Sequence, residues 1–128
     1  MEYEAYTRFT RDAARRLAQG DLRRASVILQ GLLVSDISDL DKAEICSTMA
    51  AINQKLEQDS EALGWYDEGI AYEHPHRRFA LSEQKAERLA ELGRREEALR
   101  IYKDLLTRPY LMEADKHRLR RCIECLPS

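Results

Sequence analysis

Residues recur along this chain at two fixed offsets. Stepping back 36 positions and then 37 carries Ala98 onto Ala62 and Ala25, and Ala86 onto Ala50 and Ala13. The same steps carry Tyr102 onto Tyr66 and Leu29, Leu106 onto Ile70 and Leu33, Leu105 onto Gly69 and Leu32, and Gly93 onto Glu57 and Gly20. Coincidence supplies one such column in an Ala- and Leu-rich chain. Six columns sharing one pair of offsets indicate a threefold repeat.

Each repeat reads as two helices. In the third, Glu87 to Leu92 ends one helix, Gly93 turns the chain, and Ala98, Leu99, Ile101, Tyr102, Leu105 and Leu106 recur at helical spacing. Gly93 tolerates the left-handed backbone that closes a helix, and Arg94–Arg95 form a short polar connection. Helices joined this tightly lie antiparallel, each offering an apolar stripe to the other.

A helix-turn-helix unit of this length, with a small residue midway in its first helix and an Ala early in its second, resembles the tetratricopeptide repeat. The small positions are Ala13, Ala50 and Ala86 in first helices, and Ala25, Ala62 and Ala98 in second helices. Leu29, Tyr66 and Tyr102 match the family's bulky position, and Pro109 its closing proline, where the first two units have Asp36 and Glu73. The sequence departs from the pattern at Arg16 and Asn53, where a large apolar residue is usual, and at Phe9, where a Trp is common. The resemblance implies an all-α, right-handed superhelical stack of antiparallel helix pairs, an α-solenoid of seven helices. Its repeats would span about 6–40, 41–77 and 78–110, with a capping helix at about 111–125, all in one domain.

At 128 residues, with 44% hydrophobic and 34% charged residues, the composition is that of a folded domain, not a disordered chain. The formal charge of −2 gives no bias toward nucleic acid or an anionic membrane. No run reaches the roughly 20 apolar residues of a membrane span, and Met1 to Tyr6 lacks a secretory pattern. Three cysteines, an odd number, favour a reducing compartment, so a cytoplasmic location is expected.

In chain order, the first helix is expected over 3–19, with Tyr6, Phe9, Ala13 and Leu17 on its buried face. Asp21 should cap the second helix. Asp41 and Glu44 resemble a capping box that starts the third. The fourth starts at Asp59 or Ser60, and Glu73 to Arg78 is expected as a loop because Pro75 bars helix continuation. A last helix, about 111–125, places Met112, Leu119, Cys122, Ile123 and Leu126 in one stripe that seals the final pair.

Few residues suggest chemistry. Cys122 and Cys125 form a CxxC, but at a helix C-terminus, where the dipole disfavours a thiolate. His117 does not complete a metal site with them, and a closed zinc site wants four ligands. His74 and His76 with Arg77 and Arg78 form a basic turn on which a phosphate or carboxylate could dock, although an exposed polar loop explains them as well. No phosphate-cradling loop, HExxH or nucleophile elbow is present. An enzyme is not expected, and no metal or cofactor is called for.

In the tetratricopeptide family, first helices line a concave groove that holds a peptide. The resemblance therefore assigns partner contacts to Thr7, Thr10 and Arg11, to Glu44, Ser47, Thr48 and Lys55, and to Glu83, Gln84, Glu87 and Glu91, with Ala14, Ala51 and Ala80 beside them. The Lys, Asn and Arg clamp for chaperone C-termini is missing: Thr10, Ala14, Thr48, Ala80 and Gln84 stand there. Glu83, Glu87 and Glu91 stack four apart as an acidic ridge that suits a basic partner segment. Two function classes follow. One is a non-catalytic protein-interaction module, an adaptor, assembly factor or small chaperone, acting as a monomer or as a homodimer. The other is a thiol- or metal-responsive protein using the CxxC.

Overall fold

The computed structural model describes residues 1–127. Seven helices follow one another: α1 (Tyr3–Ala18), α2 (Leu22–Leu33), α3 (Asp39–Lys55), α4 (Asp59–Glu73), α5 (Ala80–Glu91), α6 (Arg95–Leu106) and α7 (Glu113–Glu124). A 3-10 turn, His74–His76, follows α4, and there is no strand among the described residues. The helices pack as neighbouring pairs, α1 with α2, α3 with α4 and α5 with α6, as a helical repeat requires. The chain forms two compact units, Met1–Tyr72 and the part from Glu73 onward.

The offsets seen in the sequence reappear in the backbone. Gly20, Glu57 and Gly93 all adopt positive φ, at 79°, 58° and 78°. At each turn the next amide reaches back to close the preceding helix, Asp21 to the Arg16 carbonyl, Gln58 to Asn53 and Arg94 to Leu89, each at 2.8 Å. These are Schellman closures, and they satisfy carbonyls that a helix end would leave unpaired. The carbonyls of Asp21, Gln58 and Arg94 then accept the first helical bonds, from Ala25, Ala62 and Ala98. One turn is built three times.

Packing obeys the same register. Ala25, Ala50, Ala62, Ala86 and Ala98 are each 0% exposed and Ala13 is 1% exposed, so every alanine of the two columns lies at a helix contact. In the first unit Ala13, Leu29, Leu32, Ile45, Met49 and Ile52 form the core, with Tyr6, Leu17 and Trp65 packed against it. α3 is buried on two sides, which is why its apolar residues spread around the helix: Ile45, Met49 and Ile52 on one side, Ala43, Cys46 and Ala50 on another. In the second unit Leu81, Leu89, Tyr102, Leu105 and Leu119 are buried, and α7 packs on α6.

Four local expectations change. α3 starts at Asp39, because Ser38, not Asp41, is its cap: the short Ser38 hydroxyl accepts the Asp41 amide at 3.1 Å. Phe9 is 38% exposed and leaves the buried face of α1. The segment His74–His76 is a 3-10 turn, in which Pro75 near the start needs no amide donor. α7 begins at Glu113. Met112 precedes it in extended backbone and is 73% exposed, so it takes no part in the sealing stripe that Leu119 anchors at 0% exposure. The Asp21 cap on α2 forms as expected, its carboxylate accepting the Arg24 amide at 3.3 Å.

Candidate interaction surfaces

The groove residues of the first unit divide between two surfaces. Thr10 and Ala14 from α1 and Glu44 and Thr48 from α3 line one concavity of about 360 Å³, floored by Ala13, Leu17, Leu29 and Ile45. Thr7 and Arg11 instead face outward from α1, beside Tyr3, Arg8, Phe9 and Arg15. Ser47, half-buried, and Lys55, exposed, lie on α3 outside the concavity.

The polar groups of the concavity are largely held by their own helices. The Thr10 hydroxyl donates to the Thr7 carbonyl at 3.0 Å and the Thr48 hydroxyl to the Glu44 carbonyl at 3.2 Å, leaving oxygen lone pairs facing outward. Tyr6 also lines it. Burial, reinforced by the negative charges of Asp41 and Glu44, pushes its phenol up to about 12, so it remains a neutral donor to Asp41. Glu44 is exposed at the rim. The result is an apolar floor bordered by two hydroxyls and one carboxylate.

The ridge on α5 is partly occupied from within. Glu83 is gripped by Arg118 of α7, with Nη2 at 2.6 Å and Nε at 3.2 Å, and Asp115 holds the same guanidinium at 3.1 Å. Glu91 pairs with Arg88 at 3.0 Å. Glu87 is exposed, and Gln84 is half-buried and engaged. Sequence reasoning missed the Arg118–Glu83 pair, because a contact across 35 residues leaves no periodic signal.

The cysteines have different surroundings. Cys46 is buried, and desolvation, with the Glu68 charge, pushes its thiol up to about 12, which makes it inert. Cys122 is half-buried and shares a hydrogen bond with the buried Tyr102, whose phenol is raised by burial and then by Cys122. Cys125 is exposed at the C-cap of α7. Among the described residues no group of three or more His, Cys, Asp or Glu side chains is arranged to hold a metal ion. No helix among them is long and apolar enough to cross a membrane.

A second polar centre, also missed, lies where α4 hands over to α5. The α5 cap position is Phe79, which has no side-chain acceptor, and the buried carboxylate of Glu73 supplies one instead by accepting the Leu81 amide at 2.8 Å. A helix start without Ser, Thr, Asp or Asn was the available signal. Around the same turn, Arg108 donates to the Tyr110 oxygen at 3.0 Å and to Asp104 at 2.8 Å. Comparison with family models, with curated proteins and with solved structures found no match to this chain.

Proposed function

We propose that the chain is a non-catalytic protein-interaction module of the tetratricopeptide type, an adaptor, assembly factor or small chaperone working in the cytoplasm. The carrying observation is the concavity between α1 and α3, where Thr10, Ala14, Glu44 and Thr48 surround an apolar floor. None of these four side chains belongs to the buried core of the unit. A partner segment with one apolar side chain for the floor and an adjacent Lys or Arg for Glu44 fits this chemistry. Most of the affinity would come from the apolar anchor, and the charge would set orientation and on-rate. The superhelical arrangement of the repeats belongs to the same reading.

Ala14 offers the cleanest test, because it is exposed in the interior of α1. A photo-crosslinking residue at Ala14 should capture a defined polypeptide from the native host. With the crosslinker kept at position 14, Thr48→Arg and Glu44→Arg should each abolish that capture with helicity unchanged, since Arg is a good helix former. Capture that persists in both variants would overturn the reading.

A further inference from the structure

We infer that the turn after α4 is a receptor for a single phosphate-type oxyanion carried by a partner polypeptide, with Arg77 as its principal ligand. This deepens the interaction-module reading and rests on it for the source of the anion. The turn itself is tightly determined. Arg77 adopts φ 57°, a left-handed conformation uncommon for a side chain of this size. Its amide donates to the His74 carbonyl at 3.1 Å and the Arg78 amide to the Glu73 carbonyl at 3.2 Å, so the backbone donors are consumed. The side chains are what the turn presents.

Those side chains are rich in hydrogen-bond donors. The Arg77 guanidinium lies over the Tyr110 ring, 5.9 Å from its centroid, and pairs with no carboxylate among the described residues. A cation–π contact of this length uses none of the guanidinium N–H donors, and a guanidinium can meet an oxyanion through two of them. The Tyr110 ring is fixed in turn, with Phe79 tilted against it at 6.3 Å and Arg108 bonded to its oxygen at 3.0 Å. With that oxygen accepting from Arg108, the phenolic proton remains available to donate. Arg108 also lies 3.4 Å from His74 Nδ1.

The two nearby carboxylates are engaged by other partners and leave Arg77 without one. Glu73 is buried and accepts the Leu81 amide, and Asp104 is bonded to Arg108. Arg77 and Arg78 are both exposed. The turn thus sets a guanidinium without a carboxylate partner beside a tyrosine that Arg108 links to His74. Phosphate suits an arginine with Tyr110 nearby better than carboxylate, since it carries more charge and more acceptor oxygens. A protein-borne phosphate is favoured over a lipid headgroup because the interaction-module reading supplies a polypeptide partner, while a net charge of −2 gives the chain no general attraction to an anionic bilayer.

The test uses the whole chain and three probes read by amide and side-chain NMR shifts: inorganic phosphate, a phosphoserine peptide of otherwise neutral sequence, and vesicles rich in anionic lipid. The inference expects saturable shifts with phosphate and with the phosphopeptide, confined to His74, Arg77 and Tyr110. The Arg77→Gly variant separates binding from folding, because Gly relieves the left-handed backbone while removing the ligand. It should unfold no earlier than the parent yet bind the phosphopeptide about tenfold or more weakly, the loss of at least one charge-assisted hydrogen bond. Tyr110→Phe, which keeps the ring, should weaken binding less. Shifts that never saturate, or that survive Arg77→Gly, would overturn the site. Vesicle binding through the same residues without phosphopeptide binding would overturn its assignment to a protein partner. None of these readings depends on the Ala14 concavity, so the two proposals fail separately.

Discussion

The carboxylate of Glu73 accepts the backbone amide of Leu81 at 2.8 Å, so the end of α4 caps the start of α5. The bond crosses the 3-10 turn and does for α5 what Phe79 cannot. Burial raises the Glu73 carboxyl above its ordinary value, and the Leu81 amide and the Arg78 charge oppose the shift without cancelling it.

Replacing Glu73 should separate the cap from the charge. Because its folded pKa is raised, the native state binds the proton more tightly than the unfolded chain. Its contribution is fully present below the ordinary carboxylate value and falls as pH rises through the raised one. Glu73→Gln keeps an acceptor oxygen for Leu81 and removes the titration. Its urea midpoint at pH 7 should equal or exceed the parent's, and the parent's decline above pH 4.5 from this group should vanish. Glu73→Ala leaves the amide without an acceptor and should cost about 1–2 kcal/mol at either pH. A Gln variant as unstable as the Ala variant would show that the charge is what matters.

Glu57 carries the left-handed conformation that Gly20 and Gly93 carry in the other two turns. A non-glycine residue is disfavoured there by about 1–2 kcal/mol, while glycine adds unfolded-state entropy worth about 0.4–1 kcal/mol. Glu57→Gly should therefore stabilise the first unit by roughly 0.5–1 kcal/mol, the difference between the two. Trp65 packs against the core of that unit, so its fluorescence reports the shift in denaturation midpoint directly.

The alanine columns predict the opposite result for larger side chains. Ala62 and Ala98 are 0% exposed at equivalent positions of α4 and α6. Leu at either site must displace a packed neighbour, at a cost of about 1–3 kcal/mol. Ala51, exposed on α3, should accept Leu with little change. Equal effects at Ala51 and Ala62 would mean that the column is not a packing register.

Helix positions were legible in the sequence because they follow from near-neighbour rules. The repeat offsets, the glycine turns and the Asp21 cap all concern residues within a few positions of one another, or copies of such a pattern. The α3 cap lies three residues before the one the sequence suggests, because Ser38 and Asp41 are both capping residues and sequence alone does not say which adopts the extended backbone. Phe9 and Met112 were assigned by apolar character alone, yet each lies where the fold leaves an apolar side chain uncovered. The candidate surfaces were harder to read. Thr10 and Thr48 meet because α1 and α3 are both first helices of a repeat, which periodicity reveals. The pairing of Arg118 with Glu83 and the stacking of Arg77 on Tyr110 depend on tertiary placement that no local pattern encodes.

The attachment of α7 supplies a final prediction, because two adjacent residues join it to the second unit by different physics. Leu119 is 0% exposed, and truncating it removes buried methyl groups and leaves a cavity. Leu119→Ala should cost about 2–5 kcal/mol, and Leu119→Asp, which buries an unpaired carboxylate, should release the helix altogether. Arg118 is bidentate to Glu83, but its side chain is 47% exposed, so solvent screens the pair. Arg118→Met should cost no more than about 1 kcal/mol. Salt distinguishes the mechanisms further, since added electrolyte weakens an exposed ion pair and leaves apolar burial intact. Amide exchange along α7 provides the measurement. Protection should fall steeply in Leu119→Ala at every ionic strength. In Arg118→Met it should fall slightly at low salt and match the parent at high salt. The reverse order would make the ion pair, and not the buried leucine, the anchor of α7.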